Sequence, residues 1–155
     1  MLGDLGYLGS CPVGQLESDH IETHAVIANS VNDYGLIVGK NKDGSAGIKP
    51  MTSAALMPIG ISCPTCVRML DSTGIACINV FLFRNKQAVP VQTSDAEIEI
   101  GKAVFIDSAG LATQTLTSGW RIGVATGLLS TKYLNINNNA GTRAFLLELS
   151  DPVFI

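Results

Sequence analysis

Charged side chains are scarce in this sequence of 155 residues, which has 10 Lys and Arg and 13 Asp and Glu, or 15% of the chain. The basic residues form no cluster, and the formal net charge is −3. Because binding to a phosphate backbone depends on clustered Lys and Arg, the composition argues against a nucleic-acid partner. Low charge does not mean disorder here, since 46% of the residues are hydrophobic. A folded globular chain is therefore predicted.

A long uninterrupted apolar run is also missing. The most apolar stretch, residues 51–70, contains two prolines, a glycine and an arginine, whereas a spanning helix needs ~20 mainly apolar residues. No membrane contact is predicted. Near the start of the sequence, Asp4 stands where a secretory signal would carry Lys or Arg. We therefore expect a protein that is made and kept in a cytoplasm.

Signatures of common enzymes and nucleotide sites are absent as well. There is no G-x-S-x-G element, and only two histidines are available as bases. Residues 35–40 read Gly-Leu-Ile-Val-Gly-Lys, one residue short of a P-loop. Glu97 and Glu99 could imitate the carboxylate pair of a glycosidase, but their alternation with two isoleucines explains them as the solvated face of a strand. We expect no enzymatic activity.

The cysteines are expected to be reduced thiols that pack as small apolar groups: Cys11, Cys63, Cys66 and Cys77. Cys63 and Cys66 have the C-x-x-C spacing, but a redox motif would lie beside a βαβ unit, which is not visible. A zinc site would need two more ligands, which His20 and His24 could supply only if the fold brought them close. No metal or cofactor is predicted. A thiol- or zinc-dependent protein that uses Cys63 and Cys66 is kept as an alternative.

Glycine and proline are plentiful, with 16 and 6 residues spread at short intervals, and they leave few windows for a helix. Short β-branched or aromatic runs between them are typical of strands. The predicted strands are Ile75 to Phe83, Ala88 to Gln92, Glu97 to Ile100, Lys102 to Ile106, Leu111 to Leu116, a run with Trp120, Ile122 and Val124 on one face, Tyr133 to Ile136, and Thr142 to Leu149.

Turn residues support the same assignment. Asp107-Ser108-Ala109-Gly110 predicts the turn of a hairpin, Asn41 to Gly44 predicts another turn, and Pro90 marks a sheet edge or a strand end. Residues 15–34 could hold a helix, but a strand at Thr23 to Ala28 is preferred. The sequence therefore predicts a mainly β fold, a single-domain β-sandwich or barrel (jelly-roll-like) over residues 20–155.

Residues 1–19 are predicted to form an extended arm. Leu-Gly recurs there with a period of three, which matches neither a helix nor a strand. The large side chains of Leu2, Leu5, Tyr7 and Leu8 cannot all be buried against so short a segment. We expect these four residues to contact a partner.

Several segments resemble the capsid cement, or decoration, proteins of tailed bacteriophages. The resemblance is carried by Val89 to Thr93, by Ile98 to Ala112 with its hairpin, and by the closing strand Phe145 to Leu149. His24 to Val38 is similar to the early strands of that family. Pro58 to Ile61 resembles an Ile-Gly element of that family, and Ile122 to Ala125 resembles the same element. The similarity spans about residues 20–150 in order, and the arm and the cysteines have no counterpart in it.

This resemblance implies a protein without catalysis that binds the outer surface of a bacteriophage head and clamps neighbouring major capsid subunits. It implies a virion location, the major capsid protein as partner, and a homo-oligomer, either a dimer or a trimer. A carbohydrate-binding β module is a further alternative. Such a module would present exposed aromatic side chains in one patch. This chain has only 5 Phe, 3 Tyr and 1 Trp, most of them on apolar faces of predicted strands, so the module is less favoured than a decoration protein.

Overall fold

The computed structural model describes residues 21–25, 35–53, 55–62, 69–70, 76–129 and 143–155. The strands within these ranges are β1 (Ile21–Ala25), β2 (Ile37–Asn41), β3 (Lys49–Pro50), β4 (Leu56–Ser62), β5 (Met69–Leu70), β6 (Ala76–Leu82), β7 (Ala88–Thr93), β8 (Ala103–Ile106), β9 (Ala112–Thr113), β10 (Trp120–Leu129) and β11 (Arg143–Phe154). A 3-10 turn at Phe83–Asn85 follows β6. The prediction of a mainly β, sandwich-like single domain is confirmed.

The strands form two sheets. One is a six-stranded sheet with the order β1-β6-β4-β2-β3, in which β5 also pairs with β6, and the other closes into a barrel with the order β10-β11-β7-β9-β8. The described pairings are antiparallel except for the contact between β7 and β9, where Thr93 lies opposite Ala112. With this one residue pair, β7 and β9 form the shortest of the described strand pairings in the barrel.

One hydrophobic core lies between the two sheets. Alternate residues of β11 point inward, so that Phe145, Leu147 and Leu149 are buried while Glu148 is exposed. Ile37 and Ile61 come to the same core from the six-stranded sheet. The period-2 pattern of apolar residues thus directs both sheets toward a common interior.

Gly35 and Leu36 connect the two sheets through backbone hydrogen bonds. The Gly35 N–H donates to the carbonyl of Ser62 at 3.0 Å, and the Gln92 N–H donates to the carbonyl of Gly35 at 2.9 Å. The Leu36 N–H donates to Ser62 Oγ at 2.8 Å. Gly35 has a φ of 71°, a conformation that favours glycine. The end of β4 is therefore joined to β7 through this short segment.

The predicted hairpin between β8 and β9 is present. The Gly110 N–H donates to the Asp107 carbonyl at 3.0 Å, and Asp107 Oδ1 accepts the N–H groups of Ala109 and Leu111 at 2.8 and 2.9 Å. Gly110 has a φ of 81°, as its place in the turn requires. The returning strand β9 contains only Ala112 and Thr113, so it is shorter than the predicted run from Leu111 to Leu116.

The predicted strand at Glu97 to Ile100 is wrong. The backbone of this segment hydrogen-bonds to the side chain of Gln114 and not to a neighbouring strand. Gln114 Oε1 accepts the Glu99 N–H at 2.7 Å. Gln114 Nε2 donates to the carbonyls of Glu99 and Lys102 at 2.8 and 3.2 Å. Ile98 packs against the core, whereas Ile100 is 52% exposed. The two isoleucines do not share one face because a turn begins at Glu99, closed by the Lys102 N–H.

The inward face of β10 also differs from the predicted one. Ile122 is buried and Trp120 packs against the core, but the next core residue is Ala125, while Val124 is only half-buried. A register shift between Arg121 and Gly123 accounts for the change, since an irregularity in the ladder displaces the alternation of faces.

Residues 21–25 form β1, which pairs with β6, so the preferred strand is present there and the helical alternative is wrong for these residues. The predicted arm at residues 1–19, the rest of the window up to residue 34, and the predicted strand Tyr133 to Ile136 lie outside the described residues. Among the described residues, no helix has the length and apolar content to cross a membrane.

Candidate functional site

The residues predicted to contact a partner, Leu2, Leu5, Tyr7 and Leu8, lie outside the described residues, as do Cys11, Cys63, Cys66 and His20. Of the other candidates, His24 lies in β1 opposite Ile78, and Cys77 lies in β6 opposite Ala25. Within the described ranges, no three His, Cys, Asp or Glu residues are grouped closely enough to hold a metal ion. The zinc and thiol hypotheses therefore stay untested for Cys63 and Cys66.

Glu97 and Glu99 line an open groove of about 780 Å³, together with Asp95, Lys102 and Leu116. Asp95 is held in place, because its Oδ1 accepts the Thr113 hydroxyl at 2.8 Å and its Oδ2 accepts the Gln114 N–H at 2.7 Å. Glu99 forms a solvent-exposed ion pair with Lys102 at 3.8 Å. These contacts fix the loop between β7 and β8.

A more distinctive surface lies where the end of β11 pairs with the start of β10. Trp120 lies opposite Phe154 and Arg121 opposite Val153. Beyond them, Gly119 and Ile155 exchange two backbone hydrogen bonds, at 2.9 and 3.0 Å. We call residues 119–121 and 153–155 the distal ladder.

The distal ladder exposes three consecutive large apolar side chains. Val153, Phe154 and Ile155 are 45%, 67% and 54% exposed. Side chains alternate along a strand, so Val153 and Ile155 lie on one face while Phe154 lies on the other with Trp120. Single exposed apolar residues are ordinary on a protein surface, but neighbouring ones on the same face, such as Val153 and Ile155, are typical of an interaction site.

One edge of the distal ladder has no partner in the described part of the chain. The pairing of β11 with β7 ends at Glu148 opposite Ala88, followed by one bond from the Leu149 N–H to the Gln87 carbonyl at 2.9 Å. Because Ile155 directs its backbone groups to Gly119, Phe154 directs its own N–H and C=O to the opposite, open edge. Pro152, two residues earlier, has no N–H to offer to a neighbouring strand.

The aromatic face of the distal ladder forms one wall of a groove of about 280 Å³. The rings of Trp120 and Phe154 meet edge to face, with centroids 5.3 Å apart and planes at 80°, an arrangement that aromatic pairs favour. Met51 and Ile106 complete the apolar lining. Trp120 packs against the core, so the position of this platform is set by the fold.

The rest of the groove is polar. Thr52 and Ser53 lie on one side, and Asp107 and Ser108 of the β8–β9 turn lie on the other. Asp107 is already engaged, since its Oδ1 caps the turn and its Oδ2 accepts the Ser94 hydroxyl at 3.2 Å. Ser108 is exposed, and its hydroxyl bonds to no other described residue. Among the described residues that line the groove there is no Lys or Arg.

Sequence reasoning missed this surface because the last strand was predicted to end at Leu149. Asp and Pro are depleted in strands, yet β11 continues through Asp151 and Pro152 to Phe154. Pro152 is compatible with the strand because it lies within the irregularity between the Gly123–Leu149 and Arg121–Val153 pairs, where prolines are tolerated. The signal available in the sequence was the apolar run Val153 to Ile155 directly after the proline.

The comparisons with known proteins give no family to which the chain can be assigned. No family model matches it, and no similar protein was found among curated proteins or among solved structures.

Proposed function

We propose that this protein is a structural, non-enzymatic component of a bacteriophage virion, which binds the outer surface of the head and stabilises contacts between major capsid subunits. The resemblance of residues 20–150 to the decoration proteins motivates the proposal. The observation that supports it best is the contiguous exposed run Val153, Phe154 and Ile155 in the distal ladder. Such a surface suits attachment to a protein partner.

Contact through the distal ladder can supply useful binding free energy. Complete burial of a Val, Ile or Phe side chain contributes ~1.5 to 3 kcal/mol. Its open edge adds the backbone N–H and C=O of Phe154, with which an extended segment of a partner could pair. Pro152, two residues before Phe154, has no N–H, and a proline beside an exposed edge limits uncontrolled pairing between edges. The surface therefore favours a specific, short contact.

Leu2, Leu5, Tyr7 and Leu8 supply a second contact in this proposal. The arm reaches a neighbouring subunit, either of a homo-oligomer of this chain or of the capsid. A dimer and a trimer both fit the proposal, and each would place several copies of the distal ladder on the shell. Two weak contacts on one molecule strengthen attachment through effective concentration, provided that both can be engaged together.

The test is the double substitution Val153→Ser with Ile155→Ser, measured by co-sedimentation with heads that lack this protein. Both side chains lie on the face of the distal ladder away from the aromatic groove. We expect affinity for the heads to fall at least about 10-fold, since two partly exposed aliphatic groups lose their burial. Circular dichroism should show an unchanged β spectrum.

Leu128→Ser is the matched control, because Leu128 is 68% exposed but lies at the other end of β10. It should leave head binding unchanged. If the wild-type protein does not bind heads, the proposed function is wrong. If the double variant binds as tightly as the wild type, the distal ladder is not the attachment surface.

A further inference from the structure

We propose that the aromatic groove beside the distal ladder is a binding site for one neutral sugar ring of a saccharide. This would be a second binding activity, and it does not depend on attachment to a capsid. The ring would stack on Phe154 and hydrogen-bond to the polar side chains on the walls of the groove. The proposal follows from the shape, the lining and the charge of the groove.

Phe154 provides the stacking surface. Its side chain is 67% exposed, so at least one face of the ring is open to solvent, while the edge-to-face contact with Trp120 fixes its orientation. A pyranose ring has an apolar face of C–H groups, which gains from burial against an aromatic ring. A ring held by a neighbouring tryptophan that itself packs against the core loses little conformational freedom on binding.

The polar walls suit a ligand that has several hydroxyl groups. Ser108 has an exposed hydroxyl that bonds to no other described residue. Ser53 Oγ accepts the Ala55 N–H at 3.1 Å, which leaves its O–H as a donor. Asp107, whose carboxylate is fixed by the turn, offers an acceptor that does not need to move. A few well-placed polar groups around an apolar platform are the usual composition of a small-ligand site.

The size and charge of the groove argue for a sugar over other ligands. Its volume of about 280 Å³ lies just below the usual range for drug-sized ligands, ~300 to 1,000 Å³, and therefore suits a ligand as small as one sugar ring. Phosphate and other anions would need a cation, and the described residues that line the groove include none. An apolar side chain from a second copy of this chain would leave the hydroxyls of Ser53 and Ser108 without partners, which costs free energy.

The experiment uses Trp120, the one tryptophan of the chain, as a reporter within the groove. Emission from Trp120 and the NMR signal of its indole N–H are followed during titration with maltotriose, lactose and tri-N-acetylchitotriose. Glycerol at an equal concentration of hydroxyl groups controls for solvent effects. We expect a saturable change with at least one of these sugars, at a Kd in the millimolar range, roughly 0.1 to 10 mM.

Three variants locate the site. Phe154→Ala should weaken binding about 10-fold or more, Phe154→Tyr should restore it, and Ser108→Ala should weaken it by a smaller factor. Leu128→Ala, on an exposed side chain outside the groove, should have no effect. The β spectrum of each variant verifies the fold.

The absence of a saturable change with all three sugars overturns the proposal. A change that follows protein concentration without added sugar also overturns it, and would identify the groove as a contact between two copies of this chain. Loss of sugar binding in the Val153→Ser, Ile155→Ser double variant would place the sugar on the opposite face of the distal ladder and contradict the assignment. The capsid proposal is unaffected by these results, because it is tested with heads.

Discussion

Two glycines, Gly60 in β4 and Gly123 in β10, lie where the backbone of a neighbouring strand leaves no room for a side chain. A Cβ atom at Gly60 would overlap the carbonyl oxygen of Phe81, and one at Gly123 would overlap the carbonyl oxygen of Glu148. These are the glycines of the two similar Ile-Gly elements in the sequence. Each element thus has the same physical role in a different sheet, which is the close approach of two strands.

Gly60→Ala and Gly123→Ala should each lower the free energy of unfolding by more than ~2 kcal/mol, because a backbone oxygen cannot move away as a flexible side chain can. Urea denaturation measures the change. Gly44→Ala is the control: a Cβ there meets nothing within 4 Å, and only its φ of 84° is unfavourable. Gly44→Ala should therefore lower the free energy of unfolding by only ~1 to 2 kcal/mol. Equal losses at all three positions would contradict the steric explanation.

Asp43, in the turn after β2, is a carboxyl whose pKa is lowered by the hydrogen bonds of the turn. The Ser45 backbone N–H, at 2.9 Å from Asp43 Oδ1, and then the Ser45 hydroxyl hold the pKa of this carboxyl below its ordinary value of 3.8. A lowered pKa in the folded state means that the turn is stabilised above the pKa of the unfolded chain and that this contribution disappears as the pH falls through the folded pKa.

Carbon-detected NMR of the carboxyl group should therefore give Asp43 a midpoint below 3.8. Asp43→Asn should remove the acid-dependent change in the Ser45 amide signal, because the amide side chain does not titrate. A midpoint at or above the ordinary value would show that the turn hydrogen bond is not maintained in solution.

The hydrogen bonds of Gln114 to the backbone of Glu99 could not be predicted from the sequence. The alternation of polar and apolar residues from Glu97 to Ile100 is typical of a strand and predicted one, but the structure has no strand there. The bonds that a neighbouring strand would make come instead from one side chain 15 residues away from Glu99. A sequence pattern shows which residues can be buried, but it does not show which distant group satisfies the backbone.

At the scale of elements, the seam between β7 and β9 depends on Thr93. Its Oγ1 donates to the carbonyl of Ala112 at 2.6 Å and accepts the Asp95 N–H at 3.0 Å. Thr93 is 2% exposed, so neither bond is readily replaced by water. One hydroxyl therefore supports both the closure of the barrel and the loop that follows β7.

Thr93→Val keeps the shape of the side chain but removes both hydrogen bonds, and we expect a loss of ~1 to 3 kcal/mol in the free energy of unfolding. Thr93→Ser keeps the hydroxyl but removes one methyl group, so the free energy of unfolding should fall by ~1 kcal/mol. Amide exchange at Asp95 should increase in the Val variant only. If Val is tolerated as well as Ser in both measurements, the seam is held by packing and not by this hydroxyl.

The element boundaries show where sequence patterns were sufficient. The strands β6, β7, β8 and the first half of β11 follow their apolar runs, and the Asp107 to Gly110 turn follows its own residue types. Pro90 was read as a sheet edge or a strand end, yet it lies inside β7 opposite Leu146. Its nitrogen points to the same side as that of Gln92, away from β11, so no bond of that ladder is lost.

For the whole molecule, deletion of residues 1–14 tests the role of the arm. The free energy gained by burying its apolar side chains is nearly offset by the cost of ordering a glycine-rich backbone, so we expect the melting temperature to change little, by no more than ~2 °C. Head binding or oligomerisation should weaken because Leu2, Leu5, Tyr7 and Leu8 are lost. The matched control replaces these four residues by Ser in the full-length chain and should reproduce the defect. A truncated protein that binds heads with native affinity would exclude the arm as a contact.

The fold class was accessible from the sequence because it depends on local quantities: short apolar runs, frequent turns and few windows for a helix. The pairing of strands was not. The barrel joins β7 to β9 in parallel, and it joins β7 to β11 by placing Val91 opposite Phe145, although these two residues are far apart in the sequence. Such partners are selected by the fit of the whole core, which no single segment contains.

The junction at Gly35 has a consequence for cooperativity. Its two backbone hydrogen bonds, to Ser62 in one sheet and to Gln92 in the other, mean that neither sheet can separate from the other without disturbing a strand in each. The sheets should therefore not behave as independent foldons, and calorimetry should give a single transition whose van't Hoff enthalpy equals the measured enthalpy. The slowest-exchanging amides of β4 and β7 should then report one common free energy of opening.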